Sequence, residues 1–256
     1  LQDSFNQLHS KKTKEWLRKF SVTFKNEIAI DAGGVTVEFF TQIVKELFNS
    51  NNALFKQTDT KCYLPNHASD VNPEHLQYFQ FAGKIIARAI IQEQYVNAHL
   101  ATTFLRQLLH QQIQFVDLQN DDEEMYRSFQ NILDNDADSL MLSFNADSND
   151  FGDTKSVPLK EKGDEIDVTN ENKVEYLKLY ISYKLRKSII EQTTAFREGF
   201  HSLIPLEDIC MFSPKELDLI ICGNDVIDIS DLKRNADYRY PYSSEHPVIK
   251  MFFNVI

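Results

Sequence analysis

Apolar side chains recur every three or four residues along most of the chain, and this spacing predicts amphipathic helices. The longer predicted helices cover about residues 35–48, 73–90, 102–111, 125–133, 169–185, 188–204, 213–222 and 247–256. Shorter helices are predicted to begin at Ser4 and Ser230. The face formed between Leu76 and Ile90 is apolar enough to lie at the centre of the core.

Strict alternation of apolar and polar residues predicts a few short strands between these helices. The strands are expected at 19–25, 140–144, 154–159 and 165–168. The strand over 140–144 lies with the helix over 125–133 in an acidic, Asn-rich stretch, and the last two strands follow directly after it. This stretch is typical of a small α+β unit inserted between helical parts, so the predicted fold class is α+β and mainly α-helical.

Particular residue types indicate where several helices begin and end. Helix starts are predicted at Asn72 followed by Pro73, at Thr169, and at the capping box of Ser213 and Glu216. Gly223 is a typical C-terminal stop. The pair Gly33 and Gly34 ends a predicted turn over 31–34, because adjacent glycines permit a positive φ.

The charge balance excludes several classes of partner. The chain has 256 residues, of which 38 are acidic and 27 basic, so its formal net charge is −11. Phosphate binding needs a basic face, which argues against a nucleic-acid partner. The same charge argues against docking on an anionic membrane.

The cysteine count indicates a reducing compartment. Cys62, Cys210 and Cys222 are an odd number with no close pairing, which does not fit a disulfide scaffold. We therefore expect a cytoplasmic location, with the nucleus as an alternative. No apolar segment is long enough to predict a membrane span, and no signal peptide is predicted. Because the chain starts at Leu1 without an initiator Met, we expect it to be a piece of a longer protein.

One acidic run resembles a calcium loop without completing it. Asp134, Asp136 and Asp138 occupy the first, third and fifth positions of an EF-hand pattern. The sixth position is Ser139 instead of Gly, and the twelfth is Asn145 instead of Glu. The run is therefore predicted to be a solvated acidic turn.

Other chemical motifs are also incomplete in the sequence. Cys62, His67 and His75 do not have the spacing of a zinc site. No phosphate-binding glycine loop and no nucleophile elbow can be recognised. Cys210 and Cys222 lie in apolar runs and are expected to be buried and inert, whereas Cys62 is the thiol expected to be most reactive. The sequence thus predicts no cofactor, no metal site and no catalytic residue in this chain.

An ordered set of motifs along nearly the whole chain resembles the HECT-type ubiquitin ligases. These motifs are D-A-G-G-V-T-V-E-F-F at 31–40, E-L-F-N at 46–49, H-L-Q-Y-F-Q-F-A-G-K at 75–84, V-T-N-E-N at 168–172, A-F-R-E-G-F at 195–200, E-L-D-L-I-I-C-G at 216–223 and H-P-V-I at 246–249. The segment 228–238 looks closest to the very large HECT ligases.

The resemblance implies that the chain is the N-terminal lobe of a two-lobed HECT domain. A large helical subdomain would comprise residues 1–119 and 188–256, and a small subdomain over 120–187 would dock a ubiquitin-conjugating enzyme. Ubiquitin would pass by thioester exchange to a cysteine in a C-terminal lobe absent from this chain, and then to a lysine of a protein substrate bound elsewhere. The full protein would be a ubiquitin transferase, and this fragment alone would be inactive. The alternative is a non-catalytic interaction scaffold derived from such a lobe.

The resemblance also places the docking groove on six residues. They are Met125, Phe129, Ile132, Leu140, Leu142 and Tyr176. Alternating residues of a strand share one face, so a strand over 140–144 beside an amphipathic helix would form a shallow apolar groove. The alternative for the same residues is that they are the core of the small α+β unit.

Overall fold

The computed structural model describes residues 1–18, 22–24, 33–150, 153–224 and 229–255. The chain forms two compact units, Leu1–Cys222 and Gly223–Ile256. The division into subdomains over 1–119 with 188–256 and over 120–187 stays a prediction. The strand expected over 19–25 and the turn expected over 31–34 fall largely outside the described residues.

Helices dominate the first unit. They are α1 (Gln2–Leu8), α2 (Thr13–Trp16), α3 (Gly34–Leu47), α4 (His75–Ile91), α5 (Thr102–Leu108), α6 (Leu118–Asp121), α7 (Glu123–Asp134), α8 (Lys173–Leu185), α9 (Ile190–His201), α10 (Leu206–Ile209) and α11 (Pro214–Cys222). Single 3₁₀ turns cover Ser50–Asn52, Ser69–Val71, Phe115–Asp117, Ala137–Leu140, Gly163–Glu165 and Lys187–Ile189. The second unit contains α12 (Ile229–Asn235) and α13 (Pro247–Val255). The mainly helical class is therefore confirmed.

The described strands form two antiparallel hairpins. β1 (Phe55–Gln57) pairs with β2 (Tyr63–Pro65), and β3 (Asn145–Asp150) pairs with β4 (Asp153–Pro158). In the first hairpin Phe55 lies opposite Pro65, and in the second Asn145 lies opposite Pro158. Both hairpins are small, so most of the packing in the fold is between helices.

The helix α4 is the centre of the core, as its apolar face predicts. Its Phe79 is fully buried and meets the ring of Phe55 edge-on, with the ring centroids 5.0 Å apart. Phe196 of α9 packs on the same cluster and lies 5.0 Å from the ring of Phe104 in α5. Rings of this size remove large apolar areas from water, which makes α4, α5 and α9 one packed unit.

Local signals identified some helix ends correctly. The backbone N–H of Ser213 donates to Glu216 Oε2 at 2.8 Å, and the N–H of Glu216 donates to Ser213 Oγ at 3.3 Å, so the capping box is confirmed. α11 ends at Cys222, and Gly223 has a φ of 79°. The last helix begins at Pro247, as predicted.

Two predicted helix starts are wrong by a few residues. Asn72 Oδ1 accepts from the N–H of Glu74 at 2.9 Å, which closes a turn, and α4 begins at His75. Similarly, the N–H of Thr169 donates to Asn172 Oδ1 at 2.7 Å, and α8 begins after Asn172. In both places an Asn side chain accepts a hydrogen bond from a nearby backbone N–H before the helix begins. Such local hydrogen bonds compete with helix formation and delay the start of the helix.

The strand predicted over 140–144 is wrong. Leu140 ends a 3₁₀ turn, and Met141 has a left-handed backbone with a φ of 49°. Only Ser143 makes a strand-like pair, as an isolated bridge to Asp167. Likewise, the segment expected as a strand over 165–168 starts inside the 3₁₀ turn Gly163–Glu165. An alternating pattern of only five residues does not distinguish a strand from a turn in which one residue, here Phe144, is buried.

Candidate functional site

The segment 120–187, called the insert below, is built around four aromatic rings. Phe129 of α7 meets Tyr180 of α8 edge-on, with the ring centroids 5.2 Å apart. Tyr176 lies 5.9 Å from Tyr180 and 5.5 Å from Phe144. These contacts hold α7, α8 and the chain before β3 together, so the rings are the internal core of the insert.

The six residues expected to form the groove fall into three groups by burial. Phe129 and Tyr176 are each 5% exposed and Ile132 is 8% exposed, so all three lie inside the core. Met125 and Leu142 are partly buried and pack against that core. Leu140 is 37% exposed.

The six residues do not form one continuous surface. Met125 lies near the start of α7 and borders a cavity of about 200 Å³ together with Lys56, Leu64 and Ile189. Leu140 follows the opposite end of α7, and the helix between Met125 and its last residue is about 13 Å long. Leu140 and Leu142 are thus the candidates that lie together, because they are separated by one residue.

The residue between them, Met141, is the most exposed large apolar side chain among the described residues of the insert. It is 92% exposed, and its left-handed backbone places it at the tip of the turn. We call Leu140, Met141 and Leu142 the apolar tip. A strand over 140–144 would point Met141 to the face opposite Leu140 and Leu142, so the alternating pattern does not identify it as a groove residue. The signal that was available is the run of three consecutive large apolar residues in an acidic segment.

The turn that carries the apolar tip is fixed by Asn170, which lies just before α8. Its Nδ2 donates to Asp136 Oδ1 at 2.5 Å and to Asp138 Oδ2 at 2.7 Å. Its Oδ1 accepts from the backbone N–H of Ala137 at 3.1 Å. Two of the carboxylates in the calcium-like run therefore accept hydrogen bonds from an amide.

Lys173 also holds the chain that leads into this turn. Its Nζ donates to the backbone carbonyl oxygens of Leu133 at 2.8 Å and of Asn135 at 2.9 Å. A cation at the C-terminal end of α7 is also favoured by the helix dipole. Asn170 and Lys173 together tie the apolar tip to the beginning of α8.

The electrostatics of the insert follow from its buried ring cluster. Burial raises the pKa of the Tyr176 phenol to about 12, with further contributions from Tyr180 and Asp147. The pKa of Tyr180 is also raised, chiefly by burial. Lys160 lies over the ring of Phe144, 3.7 Å from its centroid, and forms an ion pair with Glu175 at 3.0 Å. The phenols are neutral at physiological pH and serve packing, not proton transfer.

The three cysteines differ from their predicted environments. Cys210 is exposed and Cys222 is partly exposed, so the prediction that both are buried is wrong. Each sits near the end of a short helix, where one side faces solvent. Cys62, expected to be the most reactive, is partly buried, and burial raises the pKa of its thiol. A raised pKa lowers the thiolate fraction at neutral pH and therefore the nucleophilicity of Cys62.

No described helix combines the length and the apolar character that crossing a membrane would require. With the geometry of the insert in place, the chain can be compared with known proteins. Residues 41–256 match the family model described as HECT-domain (ubiquitin-transferase).

Among curated proteins, the chain is similar to several fungal ligases. It is 36% identical over 258 residues to "E3 ubiquitin-protein ligase pub1" of Schizosaccharomyces pombe, covering 100% of this chain and 34% of that protein. It is 33% identical to "E3 ubiquitin-protein ligase RSP5" of Emericella nidulans, covering 100% of this chain and 31% of that protein. It is 36% identical to "E3 ubiquitin-protein ligase TOM1-like" of Neurospora crassa, covering 99% of this chain and 6% of that protein.

The chain therefore spans about a third of the length of the first two relatives and a small part of the third. The identity is the same, 36%, for the very large relative and for the shorter pub1. The expected preference for the very large proteins of this kind thus stays a prediction.

Proposed function

This chain belongs to the HECT-domain (ubiquitin-transferase) family, and we propose that it is the N-terminal lobe of the HECT domain of a larger ubiquitin-protein ligase. The match over residues 41–256 and the 33–36% identity across the whole chain support this assignment. The partners of the lobe are a ubiquitin-conjugating enzyme and the ubiquitin it carries, in the cytoplasm or the nucleus. Protein substrates bind regions outside this chain.

The proposed role of the lobe is recruitment. It holds the charged conjugating enzyme while a thiolate in the C-terminal lobe, outside this chain, attacks the carbonyl carbon of the ubiquitin thioester. The new thioester forms as the thiolate of the conjugating enzyme leaves. A substrate lysine amine then attacks this second thioester, forms an amide bond to ubiquitin as its nitrogen loses a proton to solvent, and releases the thiolate of the C-terminal lobe. The chain alone, which contributes docking and no nucleophile to this sequence of steps, is inactive as a transferase.

The observation that carries the docking proposal is the exposure of the apolar tip. Met141 is 92% exposed and Leu140 is 37% exposed on a turn fixed by Asn170 and Lys173. A pre-organised apolar turn costs little ordering entropy when it binds, which favours a small and transient interface. Such an interface suits a conjugating enzyme that must leave after each transfer.

The other expected groove residues support the tip in this proposal. Phe129, Ile132 and Tyr176 are buried in the core of the insert and act by holding α7 and α8 in place. Leu142, itself part of the tip, packs against the hydrophobic core. Met125 borders the separate cavity near Lys56 and contributes at the edge of the docking surface.

Charge at the tip favours a basic partner surface. Asp134, Asp136 and Asp138 precede the tip, and their side chains are exposed enough to act on an approaching protein. Complementary charge steers encounter and increases the association rate more than it increases affinity. We therefore expect the association rate of the conjugating enzyme to fall as ionic strength rises.

The proposal is tested by calorimetric titration of this chain with a panel of ubiquitin-conjugating enzymes. We expect binding in the micromolar range to at least one of them. Met141→Asp and Leu140→Asp should weaken binding about thirtyfold or more, because loss of an anchor at a small interface typically costs about 2 kcal/mol. Met211→Asp is the matched control, since Met211 is a similarly exposed methionine outside the insert.

Two results would contradict this function. If no conjugating enzyme binds the folded chain, the recruitment role fails and the non-catalytic scaffold becomes the better explanation. If binding occurs and Met141→Asp weakens it no more than Met211→Asp, the docking surface lies elsewhere. Circular dichroism of each variant shows whether the fold is retained.

A further inference from the structure

Three side chains of types that can bind a metal ion lie close together outside the insert sequence. They are His99 in the segment between α4 and α5, and Asp218 and Cys222 in α11. His99 Nδ1 lies 2.9 Å from Asp218 Oδ2, and the thiol of Cys222 lies 3.7 Å from Asp218 Oδ1. One donor atom from each residue falls within 4.8 Å of the others.

We propose that His99, Asp218 and Cys222 form a binding site for Zn²⁺. An imidazole nitrogen, a carboxylate oxygen and a thiolate are three of the donor types that zinc takes in proteins. A thiolate ligand favours zinc over magnesium or calcium, which prefer all-oxygen sites. The site goes beyond the family assignment and beyond the docking surface, and it depends on neither.

The three donor atoms must draw together to hold the ion. With zinc–nitrogen, zinc–oxygen and zinc–sulfur bonds of about 2.0–2.3 Å, tetrahedral ligand atoms lie about 3.3–3.6 Å apart. The carboxylate of Asp218 already lies between the other two donors, with Oδ2 2.9 Å from His99 Nδ1 and Oδ1 3.7 Å from the thiol of Cys222. One donor atom from each residue lies within 4.8 Å of the others, so side-chain rotations are enough to bring them to that spacing. Asp218 and Cys222 are four residues apart on one helix and therefore share a face, which is a common arrangement for two ligands.

The backbone around the site is already fixed. The carbonyl oxygen of His99 accepts from the N–H of Tyr63 in β2 at 2.7 Å, and the N–H of Val96 donates to the carbonyl oxygen of Ile221 at 3.0 Å. The segment carrying His99 is thus held to β2 and to α11 before any ion binds. Pre-organised ligands lower the ordering cost of binding.

The site is open to solvent on one side. The side chains of His99 and Asp218 are each 26% exposed, and Cys222 is partly exposed. Three protein ligands leave a fourth position for a water molecule. An ion can therefore enter without unfolding, and it would clamp the end of α11 to the segment between α4 and α5.

The first test is a titration of the reduced chain with Zn²⁺ in competition with a chromophoric chelator. We expect one equivalent to bind. Cys222→Ser, His99→Asn and Asp218→Asn should each weaken binding by at least about tenfold, since even partners behind the ligands are worth 10–100-fold. Cys210→Ser is the matched control, because Cys210 is an exposed cysteine outside the cluster, and it should bind zinc as the unchanged chain does.

Co²⁺ serves as a spectroscopic probe of the thiolate. Co²⁺ should produce a sulfur-to-metal charge-transfer band that is lost in Cys222→Ser and kept in Cys210→Ser. Mg²⁺ and Ca²⁺ should not bind at the site, and they should not displace Zn²⁺ from it. The thermal unfolding midpoint should rise with Zn²⁺ in the unchanged chain and in Cys210→Ser only, because an ion bound to the folded state alone stabilises it.

Thiol alkylation compares the reactivities of Cys222 and Cys210 within the same protein. Zinc should slow modification of Cys222 by a maleimide and leave that of Cys210 unchanged, as measured by peptide mass spectrometry. The proposal is overturned if no zinc binds the folded chain, or if binding survives in both Cys222→Ser and His99→Asn. It is equally overturned if the cobalt band persists in Cys222→Ser, since another thiol would then be the ligand.

Discussion

The backbones of Gly83 in α4 and Phe196 in α9 are in direct contact. A Cβ at Gly83 would clash with the carbonyl oxygen of Phe196, and a Cβ at Gly199 would clash with the carbonyl oxygen of Gln80. Two glycines, one on each helix, thus allow the central helices to approach closely. This close approach holds α4 and α9 together at the centre of the core.

The first prediction is that Gly199→Ala destabilises the chain. Alanine normally stabilises a helix by up to about 1 kcal/mol relative to glycine, but here its methyl group meets backbone that cannot move aside. Overpacking of this kind costs about 1–3 kcal/mol. Urea denaturation should therefore show a lower free energy of unfolding.

Gly34→Ala is the control for this substitution. Gly34 begins α3, and nothing lies within 4 Å of the position its Cβ would take. This variant should be as stable as the unchanged chain or slightly more stable. Equal stabilities for Gly199→Ala and Gly34→Ala would show that α4 and α9 are not in backbone contact.

The second prediction concerns Asp121, which caps the N-terminus of α5 although it lies 18–19 residues further along the chain. Its Oδ1 accepts from the N–H of Thr102 and its Oδ2 from the N–H of Thr103, both at 2.7 Å. Asp121→Ala leaves both donors without a protein acceptor, so the free energy of unfolding should fall by about 1–2 kcal/mol. The exposed Asp59→Ala should have little effect in the same denaturation assay. An equal loss in both variants would refute the cap.

The third prediction is a loss of stability at alkaline pH that depends on Tyr176. Burial raises the pKa of its phenol from 10.0 to about 12 in the folded protein. As pH rises above about 10, the unfolded chain releases this proton first, so the folded state becomes less stable. The full contribution of Tyr176 is present below pH 10 and is lost as pH rises towards 12.

Tyr176→Phe removes this proton release. Between pH 10 and pH 11 the variant should lose about 1 kcal/mol less stability than the unchanged chain, from the linkage of about 1.4 kcal/mol per pKa unit. Denaturant titrations at several pH values measure the difference. Tyr95→Phe, at an exposed tyrosine, should show the pH dependence of the unchanged chain. Parallel curves for Tyr176→Phe and the unchanged chain would contradict the burial of this phenol.

The fourth prediction concerns Asn170, which positions the apolar tip without belonging to it. Asn170→Ala removes hydrogen bonds to Asp136, Asp138 and the backbone of Ala137. The backbone amides of the turn should then exchange their hydrogens faster. The affinity for a conjugating enzyme should fall about fivefold to tenfold, because ordering the loosened turn on binding costs about 1 kcal/mol. The exposed Asn120→Ala is the control. Unchanged exchange at residues 137–141 would show that Asn170 does not hold the turn.

The sequence predicted features whose cause is local. The capping box of Ser213 and Glu216 needs only residues three apart, and the stop at Gly223 needs only its own backbone freedom. The core position of α4 could be predicted because its apolar face is long and continuous. Such signals do not depend on which other segments pack nearby.

Features that depend on distant contacts could not be predicted. The turn at Met141 is fixed by Asn170, which is more than twenty residues further along the chain. α8 carries large side chains on every side, so its sequence does not indicate that Tyr176 is buried while Val174 is exposed. Likewise, His99 and Asp218 meet only because α11 folds back on the segment after α4. Three of the six residues expected to form the groove, Phe129, Ile132 and Tyr176, are therefore core residues, and the location of the docking surface stays a prediction.

The measurement that tests the account most directly is amide hydrogen exchange of this chain with and without a ubiquitin-conjugating enzyme. The account predicts slower exchange on binding at residues 137–142, and no change at the exposed Val71 or Met211. The same experiment with Met141→Asp should show no protection at the concentrations that protect the unchanged chain. Protection confined to residues outside 120–187 would contradict the assignment of the insert as the docking surface.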